Sequence, residues 1–266
     1  MRLVAEGTGF QDKHPIGTQS FDFKSFTDFT LFGLHIHVTR IYTLVLFAAL
    51  VVGVFFWAAF RNPKLVPGKM QWAGETVYNF IRDGVAGEVI GPKGLRFAPY
   101  LTTLFCFIFV NNLFEILPLA QVPVNSRIAF PLVLAVLTWL LYNYLGIRKK
   151  GLLGYLKGIA FPPGVPWFVL IIVTPIELIS QLILQPFTLA IRLFANMFAG
   201  HLLLLVFFSG AIYLFGNGGA GYGFGAVSFL MSIVLTGFEL IVIALQAYVF
   251  TVLTSVYISN AMAEEH

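Results

Sequence analysis

Five long apolar stretches constrain this chain more than any other feature of its sequence. The first, residues 41–60, is a run of 20 uncharged residues with an arginine on each side, the length that one helical crossing of a bilayer needs. Further spans are expected over about residues 98–120, 128–147, 166–215 and 225–260. We therefore predict an all-α membrane protein in which residues 41–266 form a single transmembrane domain of five helices.

The composition supports this prediction. The 266 residues are 58% hydrophobic and only 11% charged, and the mean hydropathy is +0.87. Soluble domains contain about 25% charged residues, so a soluble enzyme is excluded. Cys106 is the single cysteine and permits no internal disulfide.

Lysine and arginine residues orient the spans. The loops after the first and third spans contain ten of them: Arg61, Lys64, Lys69, Arg82, Lys93, Arg96, Arg148, Lys149, Lys150 and Lys157. The loops on the other side contain only Arg127. Because basic residues collect in cytoplasmic loops, we predict an N-terminus outside and a C-terminus in the cytoplasm. Residues 1–40 lack a signal-peptide pattern and are expected to be an extracytoplasmic tail.

A sixth helical pattern, at about residues 70–85, is too polar to be a span. Its apolar residues recur at helical spacing, with charged residues elsewhere around the turn. This pattern is typical of an amphipathic helix lying in the membrane interface. A helix that covers loop backbone would have the same pattern, and both interpretations stay open.

The last two apolar stretches are too long for upright crossings. Helices of 50 and 36 residues would be about 75 Å and 54 Å long, whereas the hydrocarbon layer is about 30 Å thick. Pro175 and Pro186 permit bends in the first. We predict two strongly tilted helices that form a hairpin about the glycine-rich loop at residues 216–225 and lie against another protein.

Four ionisable residues occur inside these two stretches, namely Glu177, Arg192, His201 and Glu239, and they are accompanied by Gln181, Gln185, Asn196 and Gln246. A charge at mid-bilayer costs from about 3 to more than 10 kcal/mol, so it usually marks an ion path or a partner. His201 lies 15 residues before the glycine-rich loop and Glu239 lies 14 after it, which places both at nearly equal depth in a hairpin. By the same count Arg192 and Gln246 share a second level, and Glu177 lies near the inner face.

Arg192 has no acid at its own level in this chain. Because a buried charge without a partner is costly, we expect its partner carboxylate on another polypeptide. For the other polar residues, structural interpretations remain: a static hydrogen bond between His201 and Glu239, or a solvated Glu177 at the interface. For Glu115, an ordinary interfacial acid is favoured over an outer vestibule.

The segment "PFTLAIRLFANMFAGH" resembles the a subunit of the rotary F-type ATP synthase, the stator half of its proton channel. The family element P-x-x-L-x-x-R-L-x-x-N-x-x-A-G is present with Pro186, Leu189, Arg192, Leu193, Asn196, Ala199 and Gly200. A second element matches around residues 246–258, and "NNLFEILP" is a weaker third. The resemblance covers about residues 97–260.

The resemblance implies that Arg192 faces the carboxylates of a c-subunit ring and blocks leakage between two offset half-channels. The outer half-channel would then be lined by Glu115, Asn196, His201, Glu239 and Gln246, and the inner one by Glu177. The Glu and His occupy the opposite helices from those in the best-known bacterial version, which leaves their individual roles open. The implied partners are the c ring, b-type peripheral stalk subunits, lipid and protons, in a bacterial plasma membrane.

Two other functions compete with this interpretation. A secondary transporter would normally have paired repeats, and none is visible. A scaffold subunit would use its polar groups only for packing. No catalytic site, cofactor or nucleic-acid partner is expected, and no metal site is expected because His35 and His37 lack a third ligand.

Overall fold

The computed structural model describes residues 25–31, 34–117, 124–160, 167–216, 218–219 and 221–263. Within these residues the strands and α-helices are β1 (Ser25–Leu31), β2 (Leu34–Thr39), α1 (Arg40–Phe60), α2 (Lys69–Ile81), α3 (Ala98–Ile116), α4 (Ala129–Lys150), α5 (Leu152–Ala160), α6 (Trp167–Ile179), α7 (Gln185–Gly216) and α8 (Gly221–Met262).

Five helical segments are long and apolar enough to cross a membrane, which confirms that prediction. They are Ile41–Phe60, Pro92–Ile116, Ala129–Lys150, Phe168–Gly216 and Gly221–Met262. The second span ends earlier than predicted, because Leu117 has extended backbone (φ −65°, ψ 121°) and precedes Pro118, as a residue before proline prefers. The predicted end at residues 118–120 lies outside the described residues.

The departure from an all-α fold, within the described residues, is a β-hairpin in the N-terminal segment. β1 pairs with β2 in antiparallel register, with Phe29 opposite Ile36 and Leu31 opposite Leu34. The alternation of apolar and polar residues in "LHIHVT" is the period-two pattern of a strand. Residues 1–24 of the predicted tail lie outside the described residues.

The amphipathic segment is a helix, as predicted, but its α-helical part ends before the predicted end at about residue 85. α2 ends at Ile81, and a π-helical segment (Arg82–Ile90) and a 3₁₀ segment (Pro92–Phe97) connect it to α3. Gly74 of α2 packs so closely against Ala59 of α1 that an added Cβ would lie 2.8 Å from the Ala59 Cβ. This contact holds α2 against the end of the first span.

The short helix α5 was not predicted. Gly151 separates it from α4 and has φ 73°, a left-handed conformation that glycine adopts without strain. α4 ends with three basic residues, which interact favourably with the negative end of the helix dipole. α5 turns back along α4, and the ring of Tyr155 lies against Gly146.

A π turn at residues 180–184 separates α6 from α7. The N–H of Gln185 donates to the carbonyl of Ser180, five residues earlier. Pro186 explains this turn, because proline has no N–H to continue the α-helical ladder and its ring clashes with the carbonyl four residues back. The fourth span is therefore a continuous helix, but the side of it that faces the rest of the chain changes at this turn. The sequence predicted only that a bend is permitted.

α7 and α8 pack as an antiparallel hairpin. Ser228 Oγ donates to the carbonyl of Phe207 at 2.8 Å, and Gly200 faces Glu239 nearer the middle of both helices. With 42 residues in one unbroken helix, α8 is about 63 Å long, roughly twice the hydrocarbon thickness. The main buried core lies where this hairpin meets α3 and α4, around Ile108, Leu193 and Phe250.

Candidate functional site

His201 on α7 contacts Glu115 on α3. His201 Nδ1 lies 3.4 Å from Glu115 Oε1, and the Glu115 side chain is fully buried. Glu115 is in the last turn of α3 and His201 is in the middle of α7. The Glu115 carboxylate is thus removed from solvent and faces His201, which does not fit the favoured interpretation of Glu115 as an ordinary interfacial acid.

Glu239 lies beside this contact, against Gly200. A Cβ atom added to Gly200 would lie 2.5 Å from both carboxylate oxygens of Glu239. Glu239 is buried and close enough to Glu115 for their charges to interact. Because Gly200 immediately precedes His201, Glu239 and His201 lie at nearly the same level, as the residue count predicted. Glu115 is the third titratable group at this place.

Six polar residues form what we call the His201 cluster: Asn111, Asn112, Glu115, Asn125, His201 and Glu239. Several of its buried atoms have no hydrogen-bond partner within the described part of the chain, namely Asn111 Oδ1, Asn112 Nδ2, both Glu115 oxygens and Glu239 Oε1. A buried polar atom without a partner costs about 1–3 kcal/mol, and ordered water usually satisfies such atoms. The cluster therefore has the chemistry of a hydrated region rather than of dry packing.

Asn125 is a member of the cluster that the sequence did not reveal. Its Nδ2 donates to Asn112 Oδ1 at 2.5 Å, and both side chains are buried. Asn125 lies in a short 3₁₀ segment before α4, where a polar residue normally indicates only a loop. No pattern in the sequence distinguishes it from an exposed asparagine.

A cavity of about 270 Å³ lies between α7 and α8, next to the cluster. Its polar lining residues are Asn196 and Glu239, and the others are apolar or glycine. Glu239 thus has contact with the cluster on one side and with this cavity on the other. Asn196 is four residues before Gly200 and four after Arg192, so it lies one turn from each.

Arg192 is exposed on the face of α7 that points away from the rest of the chain, together with Ala195 and Ala199. Leu189, Leu193 and other residues of the opposite face are buried. No described acidic residue forms an ion pair with Arg192. Ile191 beside it is exposed as well, so the guanidinium belongs to a surface of a membrane-length apolar helix that lipid or another protein must cover.

Gln246 lies at the level of Arg192, as predicted. Counted from the contact between Gly200 and Glu239, Arg192 is eight residues away along α7 and Gln246 is seven residues away along α8. These distances are about 12 Å and 10 Å at helical rise. The side chain of Gln246 is buried, and its Nε2 has no hydrogen-bond partner in the described residues.

Glu177 belongs to a separate polar cavity of about 130 Å³, which we call the Glu177 cavity. Its lining residues are Lys150, Tyr155, Gly158, Ile159, Glu177, Gln181, Gln185, Tyr257 and Asn260. Glu177, Gln181 and Gln185 are all half-buried, and both interpretations of Glu177 stay open. Tyr155 was missed because it is in the helix that the sequence did not predict.

Arg192 lies between these two polar regions along the same continuous span. His201 is nine residues after it and Glu177 is 15 residues before it, about 14 Å and 22 Å away at helical rise. His and Glu side chains can take up and release protons at accessible pH, particularly when they are coupled. Arginine remains charged because its guanidinium effectively never loses its proton in proteins. The arrangement can therefore carry protons in two separate regions, with a fixed positive charge between them.

Comparison with known proteins agrees with this geometry. The family model described as ATP synthase A chain matches residues 41–259. An ATP synthase subunit a from Parafrankia sp. (strain EAN1pec) is 47% identical over 262 residues, 98% of this chain and 87% of the relative. The Frankia alni protein of the same name is 49% identical over 88% of this chain and 81% of its own. The Streptomyces lividans protein of the same name is 43% identical over 99% of this chain and 92% of its own length. Because one family model and relatives of this identity extend over most of its length, the chain belongs to the ATP synthase A chain family.

Proposed function

We propose that this chain couples proton flow to rotation in an F-type ATP synthase, with two offset half-channels and Arg192 between them. The observation that carries the proposal is the exposed guanidinium of Arg192, which no described acid neutralises, on an apolar helix face between two polar regions. As a member of its family, the chain is a multi-pass membrane subunit of the ATP synthase complex. In this proposal it has no catalytic site of its own.

Arg192 faces the carboxylates of a c-subunit ring, one after another. Ala195 and Ala199 flank it on the exposed face, and small residues let a neighbouring helix approach closely. A nearby positive charge favours the ionised form of a carboxyl group, so a rotor carboxyl group that reaches Arg192 releases its proton. The same fixed charge blocks direct proton passage between the two half-channels.

The outer half-channel consists of the His201 cluster, with Asn196 and Gln246 on its inner side. Water on the unpaired buried atoms of the cluster conducts protons to Glu239. The cavity beside Glu239 and Asn196 continues the path to the rotor-facing side of the hairpin. Asn196, which lines this cavity, is one helical turn from Arg192, and this proximity supports delivery of the proton to a carboxylate that has just been ionised.

The inner half-channel is the Glu177 cavity. Its volume of about 130 Å³ is several times the roughly 10–15 Å³ that one water molecule requires, so it accommodates water. Lys150 and Asn260 line it beside the ends of α4 and α8, and the basic end of α4 supports a cytoplasmic position. With the N-terminus outside, a proton crosses from the His201 cluster to this cavity, and the membrane potential contributes about 2.3 kcal/mol per charge per 100 mV.

The partners follow from the same arrangement. The tilted hairpin of α7 and α8 forms the wall against which the c ring turns, and b-type peripheral stalk subunits hold the chain against rotation. The complex resides in a bacterial plasma membrane. α2 lies at the inner interface of this membrane in this orientation, because Lys64 on the connection from α1 and Lys69 at the start of α2 are basic and exposed.

Replacement of Arg192 tests the proposal. Arg192→Ala and Arg192→Lys are each introduced into the assembled ATP synthase, and proton-driven ATP synthesis is measured in membrane vesicles. We expect synthesis to be lost in both while the complex still assembles, since lysine lacks the fixed planar fork of arginine. Arg148→Ala removes an exposed arginine from the end of α4 and should retain synthesis. Normal synthesis by Arg192→Ala would falsify the proposed role.

A further inference from the structure

We propose that Tyr155 is a positioning residue of the Glu177 cavity, whose hydroxyl orients the Gln181 amide so that its oxygen is presented to the proton path. The inference rests on the proposed function of that cavity as the inner half-channel. It goes further, because one residue on the short helix α5 would determine the direction, from donor to acceptor, in which a chain of hydrogen bonds runs.

The hydrogen bonds around Tyr155 form an ordered chain. Asn143 Nδ2 donates to the carbonyl of Trp139 at 2.7 Å, which leaves Asn143 Oδ1 as an acceptor. The Tyr155 hydroxyl donates to that Oδ1 at 2.9 Å, so its oxygen is available to accept. Gln181 Nε2 then donates to the Tyr155 oxygen at 3.0 Å. Each hydrogen bond determines which atom donates and which accepts in the next one. The amide nitrogen of Gln181 is therefore the group that donates to Tyr155.

The consequence concerns the other end of the Gln181 amide. Gln181 lines the cavity with Glu177, four residues earlier and one helical turn away. Since Nε2 is held by Tyr155, Oε1 is the group left to accept a proton-carrying hydrogen bond from water in the cavity. Without the Tyr155 hydroxyl the amide is free to rotate, and donor and acceptor ends exchange.

The backbone of Gln181 is held in the same place. The Tyr142 hydroxyl donates to the Gln181 carbonyl at 3.1 Å, within the π turn that separates α6 from α7. Tyr155 is 4% exposed, and its ring packs on Gly146, where any larger residue would collide with it. The ring has therefore a packing role that is separable from the role of the hydroxyl.

Tyr155→Phe separates the two roles, because phenylalanine keeps the ring on Gly146 and removes only the hydroxyl. Passive proton conduction is measured in membrane vesicles from which the catalytic sector has been stripped, per assembled complex, as a function of the pH on the cytoplasmic side. We expect conduction to fall about fivefold, as the loss of one aligned hydrogen bond implies, and its pH profile to shift. Tyr144→Phe is the matched control, since Tyr144 lies on α4 with its side chain exposed.

A double-variant cycle tests whether Tyr155 acts through Gln181. Gln181→Leu alone should lower conduction, and Tyr155→Phe should have no further effect in that background. Additive effects of the two variants would overturn the inference, as would wild-type conduction and pH profile in Tyr155→Phe. If Tyr155→Phe does not assemble, Gln181→Leu decides by itself, and wild-type conduction in that variant overturns the inference.

The proposed function can fail separately. If Arg192→Ala abolishes ATP synthesis while Tyr155→Phe behaves as wild type, the stator role stands and only the positioning role of Tyr155 is refuted. If Arg192→Ala retains synthesis, the function itself is refuted, whatever Tyr155→Phe does.

Discussion

Gly200→Ala tests the geometry around Glu239 most directly. The added methyl group would lie 2.5 Å from both carboxylate oxygens of Glu239, whereas ordinary contacts begin at 3.4 Å. The carboxylate must therefore retreat by about 0.9 Å. Because it is the end of a flexible side chain, it can do so without separating the helices.

The expected effect is large on proton transfer and small on stability. Overpacking typically costs about 1–3 kcal/mol, and replacement of glycine by alanine in a helix returns about 1 kcal/mol, so unfolding should become easier by at most about 2 kcal/mol. A misplacement near 1 Å of a reacting group can lower a rate about a hundredfold. We expect proton-driven ATP synthesis to decrease by between about tenfold and a hundredfold.

Gly210→Ala is the matched control on the same helix. Its added Cβ would lie 3.6 Å from Ser228 Oγ, an ordinary contact, so synthesis should be unchanged. Both variants are assayed in membrane vesicles, with assembly followed by subunit composition and stability by thermal unfolding of the purified complex. Wild-type synthesis in Gly200→Ala would refute the placement of Glu239 against Gly200 in the proton path.

Two further perturbations test the structure outside this contact. Asn125→Ala leaves Asn112 Oδ1 buried without its donor, so we expect thermal unfolding of the complex to become easier by about 1–3 kcal/mol; an unchanged midpoint would contradict the buried pair. Lys149 Nζ donates to the carbonyl of Met262 at 2.6 Å. Lys149→Ala should therefore speed amide hydrogen exchange in the last turn of α8, whereas exposed Lys157→Ala should not, and equal exchange in both would argue against this cap.

The positions of the spans could be predicted from the sequence to within a few residues. Hydrocarbon thickness determines how many apolar residues a crossing needs, so α1 and α4 were predicted from length and hydropathy alone. α5 was missed because its nine residues follow α4 directly and contain no separate apolar period long enough to recognise. The β-hairpin was missed because β1 has a register shift between Ser25 and Thr27, which interrupts the alternation of apolar and polar residues in that strand.

The candidate site, too, was predicted from the sequence only in part. Levels along α7 and α8 were predicted by counting residues from the loop between them, which placed His201 at the level of Glu239 and Arg192 at the level of Gln246, in agreement with the contact between Gly200 and Glu239. The contact between Glu115 and His201 could not be obtained by counting, because it joins two residues that are 86 positions apart in the sequence. Burial of Glu115 depends on the tertiary packing around the end of α3, which residue counting does not describe.

The amino-acid sequence by itself determined that five helices cross a membrane and that Arg192 has no acid at its own level. Both follow from lengths along a helix axis, which rise per residue converts directly into depth. Only the tertiary structure decided which side chains meet across helices, because such contacts depend on rotation about the axis. One extra residue in the π turn before Gln185 rotates all of α7 by about 100° relative to α6, and that rotation sets the face that carries Arg192 relative to the face that carries Glu177.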